Sequence, residues 1–379
     1  MADRGRAPLS AAAVEAGRAV CPLFGRCGGC STLHLPDEAY AAAKVERVVQ
    51  AFAARALAPP MAPLRRAPLA SRRRATFTAV SGAKGGARGV AVGYQAARSH
   101  EVVNVAHCPA LAPPLAAALP AIREVGAEAA AATGKARLVA TLCHNGIDLS
   151  VTPERPPAPK GRGRRRRAPT PPLATADPRI IRLSVDGETM LERAPPVVRF
   201  DGVDVPFPPG AFLQASLEGE AHLQAIVLQA AAGAKDALDA FCGLGTFALP
   251  LTRLARVTAV EADGAALSAL AAGHARTSGR RALETLRRDL MRHPLSPQEI
   301  RRHDVAVLDP PRAGAEALSR ALAASAVRRI VAVSCEPVTL ARDCAILAAG
   351  GYTITQATPV DQFVGSDHME VVAIMERNG

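Results

Sequence analysis

From residue 206 onward the sequence alternates short apolar runs with helix-forming stretches, and this alternation restricts the chain more than any other feature. DALDAF, RVTAVEAD, ETLRRDL, HDVAVLDPP and RRIVAVSCEP read as strands, separated by segments that can form crossover helices. Strands joined this way lie parallel in one sheet, with right-handed connections and helices on both faces. Two further runs, YTITQATP and MEVVAIMER, have no helix between them. The last strand is therefore expected to enter antiparallel, which makes the fold class α/β, a Rossmann-like seven-stranded sheet with an antiparallel last strand.

The preceding residues follow a different pattern. Between about 64 and 205, short strands are joined by turn signals: Asn145-Gly146, Asp186-Gly187 and Asp201-Gly202 each sit between apolar runs. Such pairs favour tight hairpins because both turn positions take positive φ. An antiparallel, β-rich middle domain is expected there, interrupted by a helical piece near 109–133. The stretch from about 153 to 173, TPERPPAPKGRGRRRRAPTPP, has no apolar periodicity and is expected to be a disordered basic loop. Residues 1–63 hold CPLFGRCGGC and then an amphipathic helix whose start is marked by Pro36 and Asp37. Three units follow: 1–63, 64–205 and 206–379.

A chain of 379 residues with 49% hydrophobic residues has ample material for these cores. The net charge of +12 points to an anionic partner, most simply nucleic acid. Nearly all the basic residues are arginine and alanine is abundant, a bias that a G+C-rich genome produces by itself. No stretch approaches the roughly 18 apolar residues of a membrane span, and the N-terminus lacks an apolar signal core. A cytoplasmic monomer with no membrane partner is expected. Its eight cysteines are then thiols, metal ligands or catalysts, because a reducing compartment disfavours disulfides.

Ligands of open α/β sheets bind at the carboxyl ends of the strands. Gly243 and Gly245 follow the first strand, Glu261 ends the second, Asp289 follows the third and Asp309 the fourth. Glycines there permit a tight turn and close ligand approach, and Glu261 can accept hydrogen bonds from ribose hydroxyls. Residues 243–248 also fit a dinucleotide fingerprint with Ala248 in third place, which keeps a flavin or NAD oxidoreductase open. Three acidic strand ends on one crevice suit a ligand with hydroxyls and an amino group better than a pyrophosphate.

Cys335 ends the fifth strand on the same rim. A cysteine in a strand is usually a small core residue. This one follows the last apolar residue, precedes a helix whose amides can lower a thiol pKa, and has Arg312 and Arg342 on neighbouring segments, which makes it a candidate nucleophile. Glu370 opens the final strand. It is either a water-facing edge residue or, if that strand lies beside the fifth, a general base in the same pocket.

CPLFGRCGGC, PGAFLQ, LDAFCGLGTFALPL, LDPPRAG, SCEPVTLARD and DHMEVV occur, in this order over nearly the whole chain, in a pattern that resembles the RNA uracil-C5 methyltransferases. The resemblance implies the class I methyltransferase form of the sheet and S-adenosylmethionine as cofactor. It implies that Cys335 adds to C6 of a uracil, that C5 then takes the methyl group, and that Glu370 removes the C5 proton. It assigns Gln214, Phe241, Gly243, Glu261, Asp289 and Asp309 to cofactor binding, and Asp309 also to the uracil edge. RNA is the implied partner, with a flipped or splayed target base. 23S ribosomal RNA is favoured and transfer RNA is the alternative.

By spacing alone, Cys21, Cys27, Cys30 and the distant Cys108 suit a zinc site or an iron–sulfur cluster equally. The resemblance selects a [4Fe-4S] cluster, as in the branch of the family acting on 23S RNA. Cys143, Cys242 and Cys344 are expected in the core. Glu336 stands where the family has asparagine, adding a carboxylate that can raise the thiol pKa and motivating the alternative of a nonenzymatic RNA-binding protein with a degenerate fold. FVGSD before His368 also departs from the family pattern, and Thr246 stands at a frequent cofactor contact. No oligonucleotide-binding barrel is expected ahead of the cysteines, and arginines 65, 66, 72–74 and 155–167 are then the candidates for RNA grip.

Overall fold

The computed structural model describes residues 9–82, 89–154 and 173–377. The expected disordered loop near 153–173, with Arg155 to Arg167, falls almost wholly outside them. The N-terminal segment forms α1 (Ala11–Val20) and α2 (Asp37–Ala53), with Cys21, Cys27 and Cys30 in and beside the turns between them. Helix α2 begins at the Pro36–Asp37 signal, with Asp37 and Glu38 in its first turn, where acidic groups suit the helix dipole. Its Val48 and Phe52 are fully buried and join the core of the C-terminal sheet.

After β1 (Arg65–Arg66), the middle domain builds a seven-stranded sheet from β2 (Arg74–Ser81), β3 (Val90–Gln95), β4 (Val102–Asn104), β5 (Lys135–Leu142), β6 (Ile147–Glu154), β7 (Ile180–Val185) and β8 (Glu188–Glu192). Their order is β4-β3-β2-β5-β6-β7-β8. Helices α3 (Pro113–Ala117) and α4 (Leu119–Thr133) place Leu115, Leu119, Ile122 and Val125 in one core with Phe77, Leu138 and Leu149. The β7–β8 turn uses Asp186 and Gly187 at φ 50° and 83°, as the Asp-Gly signal predicts. The sheet is not antiparallel throughout, as expected, because β6 and β7 run parallel. Their long connection, unlike a tight turn, can return the chain to the same end of the sheet.

A two-stranded ribbon follows, β9 (Val197–Phe200) and β10 (Val203–Pro206), turning at Asp201 and Gly202 with φ 49° and 80°. Its Val198, Phe200, Val203 and Val205 are buried in the core of the C-terminal sheet.

That C-terminal unit runs α5 (Leu217–Ala230), β11 (Asp236–Ala240), α6 (Ala248–Leu251), β12 (Arg256–Glu261), α7 (Gly264–Ala275), β13 (Leu283–Arg287), α8 (Pro297–Ile300), β14 (Val305–Leu308), α9 (Glu316–Ala323), β15 (Arg329–Ser334), α10 (Pro337–Ala349), β16 (Tyr352–Asp361) and β17 (Glu370–Arg377). The sheet order is β1-β16-β17-β15-β14-β11-β12-β13. It contains the seven expected strands, with β17 antiparallel to both β15 and β16. The eighth, β1, pairs with the edge of β16 and ties the start of the middle domain to this sheet. Successive strand residues alternate between two cores: Ala237 packs towards α5 and α7, Leu238 and Ala240 towards α2, α9 and α10. No helix among the described residues is long and apolar enough to cross a membrane.

The middle domain grips the segment entering α5 through a buried ion pair. Arg182 on β7 donates to Asp148 Oδ1 at 2.7 Å and to the Phe207 carbonyl at 2.7 Å, while Gly210 N–H donates to Asp148 Oδ2 at 3.2 Å. Both side chains are nearly out of solvent. Removing one member of such a pair strands the other charge, at a cost of about 3–5 kcal/mol. Arg182→Met is expected to lower the urea midpoint accordingly, and Arg182→Met combined with Asp148→Leu to recover much of the loss; equal midpoints for Arg182→Met and the parent would refute this role.

Candidate active site

The strand order brings Cys335 and Glu370 together. Ser334 of β15 pairs with Val371 of β17, so Cys335 and Glu370, one residue beyond each, lie across neighbouring strand ends. Glu370 is not an edge residue facing water: it is 4% exposed. Burial, followed by the charge of Asp309, raises its pKa to about 8, against the hydrogen bond from Gln362 and the charge of Arg312. Its Oε2 is buried without a partner among the described residues.

Cys335 is half-buried, and its thiol is raised to about 11. Burial contributes most, then Glu370; Arg312 opposes through charge and a hydrogen bond. The expected lowering by helix amides and flanking arginines is therefore overturned: the thiol is neutral at pH 7, because desolvation and two carboxyl neighbours outweigh one guanidinium. Arg342 points elsewhere, to Asp343 and the Ala313 carbonyl. Glu336, expected to raise the thiol, instead caps α10 by accepting from Val338 N–H at 3.5 Å. The carboxyls that do raise it are Glu370 and Asp309.

Asp309 follows β14 and is raised to about 7 by burial, against a hydrogen bond from Gln214. Gln214 Nε2 donates to Asp309 Oδ2 at 3.0 Å, and Gln362 Nε2 donates to Gln214 Oε1 at 2.6 Å and to Glu370 Oε1 at 3.0 Å. Gln214 itself is seated by Arg73, whose Nε donates to its carbonyl at 3.0 Å and whose guanidinium pairs with Glu220 inside the protein. Arg73 is thus a buried strut, neither an RNA-gripping nor a solvated arginine.

On the other side of β14, the turn after β11 forms the crevice wall. Phe241 adopts φ 64°, a left-handed conformation that costs a non-glycine residue free energy and that is typical of functional turns. Gly243 at φ 52° faces open space, with nothing within 4 Å of where a Cβ would stand, and its N–H donates to Glu261 Oε2 at 3.1 Å. Glu261 Oε1 also accepts from the Ala262 and Asp263 amides. Asp289 sits further along the rim, where Oδ1 accepts from Met291 and Arg292 N–H within its own turn. Beneath the crevice, Asp239 is fully buried with its pKa raised well above the usual carboxylate range by burial and by Asp309.

The four N-terminal candidates share one cavity of about 1030 Å³, whose lining includes Cys21, Cys27, Cys30 and Cys108 as well as Gln214 and Gln362. Burial raises the thiols of Cys27 and Cys108, and that of Cys30 to about 12; other cysteines of the set add to each shift. Gly29 N–H donates to Cys27 Sγ at 3.4 Å. Among the described residues, no group of three or more His, Cys, Asp or Glu is gathered so as to hold a single metal ion. Cys143, Cys242 and Cys344 are buried, as expected.

Sequence reasoning missed Gln362, Arg73, Asp239 and a buried clamp on the loop before β17. In that clamp Lys44 Nζ donates to Asp361 Oδ1 at 2.8 Å and to the His368 carbonyl at 2.6 Å, and Tyr40 bonds Asp361. The only local signal was polarity, Asp361 and Gln362, ending an apolar strand.

A carboxyl whose folded pKa lies above its unfolded value stabilises the protein below the unfolded value, near 4.3, and loses that contribution as pH rises to the folded value. For Glu370 the window runs from about 4.3 to about 8, at up to about 1.4 kcal/mol per pH unit. Glu370→Gln is expected to melt higher than the parent at pH 8, with the gap closing toward pH 4; a constant gap across that range would show that Glu370 is ionised normally.

The family model described as tRNA (Uracil-5-)-methyltransferase matches residues 288–378, which include Asp309, Cys335 and Glu370. The chain is 42% identical over 378 residues to an uncharacterised RNA methyltransferase of Brucella suis, covering 99% of this chain and 89% of that one. It is 30% identical to the 23S rRNA (uracil(1939)-C(5))-methyltransferase RlmD of Pseudomonas savastanoi, covering 94% and 79%. The solved structure of Pyrococcus abyssi tRNA (uracil-54, C5)-methyltransferase, in complex with S-adenosyl-L-homocysteine, superposes with a TM-score of 0.68 at 20% identity, over 92% of this chain and 85% of that one. The chain belongs to the RNA uracil-5-methyltransferase family.

Proposed function

We propose that the protein methylates C5 of a uridine in 23S ribosomal RNA through a covalent adduct on Cys335. The observation that carries this reading is the pairing of a half-buried thiol and a desolvated carboxyl at neighbouring ends of β15 and β17. Uracil C5 is a poor nucleophile until a group adds to C6. Cys335 gives its thiol proton to solvent, with Arg312 beside the sulfur to favour the anion, and forms the S–C6 bond as the C5–C6 double bond opens and its electron pair moves to C5 and the conjugated carbonyl. Electron density then reaches C5, which accepts the methyl group. Glu370 takes the C5 proton in its carboxylate form, the S–C6 bond breaks, and the thiolate is released.

S-adenosylmethionine supplies an electrophilic methyl group when bound. The crevice suits it: Gly243 leaves the glycine turn open, Glu261 stands where ribose hydroxyls need an acceptor, and Phe241, Asp289, Gln214 and Asp309 complete the rim. The 23S assignment rests on the Pseudomonas savastanoi relative. Transfer RNA is the second reading, favoured by the family model and by the substrate of the Pyrococcus abyssi protein. Loss of one 5-methyluridine from 23S RNA in a deletion strain supports the first; loss from transfer RNA alone would replace it with the second.

The four-cysteine cavity is proposed to hold a [4Fe-4S] cluster. The shared cavity and the backbone donor to Cys27 support this, and Cys21, Cys27, Cys30 and Cys108 would hold the group as thiolates. Anaerobically purified protein is expected to be brown with about four irons per chain, and stoichiometric zinc or no iron would overturn the assignment.

RNA carrying 5-fluorouridine lacks the C5 proton, so elimination stalls. A denaturation-resistant RNA–protein adduct is expected with the parent and not with Cys335→Ala, and Glu370→Gln should trap the same adduct on ordinary uridine RNA. An adduct that persists in Cys335→Ala would end the covalent reading.

A further inference from the structure

We propose that Gln362 is a positioning residue: a single backbone amide fixes its orientation, and Gln362 in turn fixes the hydrogen-bond donors given to both carboxyls of the active site. This deepens the proposed methylation and rests on it.

The orientation follows from elementary donor and acceptor rules. Ala215 N–H can only donate, and it stands 2.7 Å from one end of the Gln362 amide. That end is therefore the oxygen, and the other, the NH₂, carries two hydrogens. Both are used, one toward Gln214 Oε1 at 2.6 Å and one toward Glu370 Oε1 at 3.0 Å. Because Gln214 must present its oxygen to Gln362, its own NH₂ faces Asp309 Oδ2 at 3.0 Å. One peptide N–H thus sets three side chains in sequence. Asp309 and Glu370 each receive one amide donor, and among the described residues Glu370 Oε2 has no hydrogen-bond partner.

Two further features show that the position is built. Gln362 is 2% exposed, so water does not compete for its hydrogens. The first turn of α5 makes room for it: a Cβ on Gly219 would lie 2.4 Å from Gln362 Cβ, closer than real side chains approach. Glycine at 219 removes that collision and lets the helix start close against the glutamine.

The donor to Glu370 Oε1 has a chemical consequence. A hydrogen bond to the ionised form favours it, and at Glu370 this acts against burial and against Asp309. Without it Glu370 holds its proton to higher pH and is a weaker acceptor for the C5 hydrogen at neutral pH. Addition of Cys335 uses a different group and proceeds.

The test compares the parent with Gln362→Met, which keeps the length of the side chain and removes the donor. Release of tritium from RNA containing 5-tritiated uridine reports the Glu370 step, and adduct formation with 5-fluorouridine RNA reports the Cys335 step. Gln362→Met is expected still to form the fluorouridine adduct. Its tritium release should fall by just under tenfold at pH 7, with the rising limb of the pH profile displaced by about one unit and much of the activity recovered at pH 9. A uniform loss at every pH, with an unmoved profile, overturns the relay, as does failure of the variant to form the fluorouridine adduct. Gln362→Glu, which replaces the donor with a further carboxyl, should move the profile in the same direction; an unmoved profile there also counts against it. If the parent itself forms no fluorouridine adduct, the methylation reading fails before the relay is reached.

Discussion

The site depends on a carboxyl group held out of water beside a thiol. Glu370 has its place because β17 enters between β15 and β16 in the opposite direction, so its first residue meets the last residues of β15. An eighth parallel-wound strand could not have done this, since its C-terminal end would reach the rim instead. The inserted antiparallel strand therefore delivers a residue from its N-terminal end to a crevice otherwise built from C-terminal ends, and places Glu370 and Cys335 on the same side.

That placement is maintained by three layers of support. The loop before β17 is held from below by Tyr40 and Lys44 of α2, which bind Asp361 and the His368 carbonyl. Above it, the cysteine segment joins the same loop, with Ser31 and Thr32 N–H both donating to the Gly365 carbonyl. From the side, the middle domain holds the Gln214 segment through Arg73 and through the Arg182–Asp148 pair. Each part of the chain thus contributes a polar contact to one rim of the sheet, from strand residues such as Asp148, Arg182 and Asp361 as well as from helices and loops. Lys44 illustrates the energetics: burial lowers its pKa, while the charge of and hydrogen bond to Asp361 oppose that shift.

The elements legible in the sequence were those specified by neighbouring residues. Asp186-Gly187 and Asp201-Gly202 announced their turns because positive φ is a property of the turn residues themselves. The alternation after 206 gave the parallel sheet and the missing last helix gave β17 its direction. Contacts between distant residues were not legible. Nothing local to Arg73 marks it as the buried partner of Glu220, and nothing in the middle domain distinguishes a parallel β6–β7 pair from an antiparallel one. Cys335 was found by its position at a strand end, yet its ionisation was misjudged: the arginines and helix amides were visible in the sequence, whereas the burial and the carboxyls of Glu370 and Asp309 that outweigh them come from other strands. Glu336 was misjudged for the same reason, since its cap on α10 depends on which way its side chain turns.

Burial and the neighbouring carboxyls hold the proton on Cys335 in the free protein. Proteolysis and mass spectrometry of protein alkylated over a pH series would measure the reactivity of Cys335 separately from the other cysteines. The account predicts an apparent pKa near 11 for Cys335 in the RNA-free protein, falling measurably in Glu370→Gln as the carboxyl beside it is removed. A thiol that reacts with an apparent pKa at or below the ordinary cysteine value, about 8.5, or that ignores the change at Glu370, would contradict it.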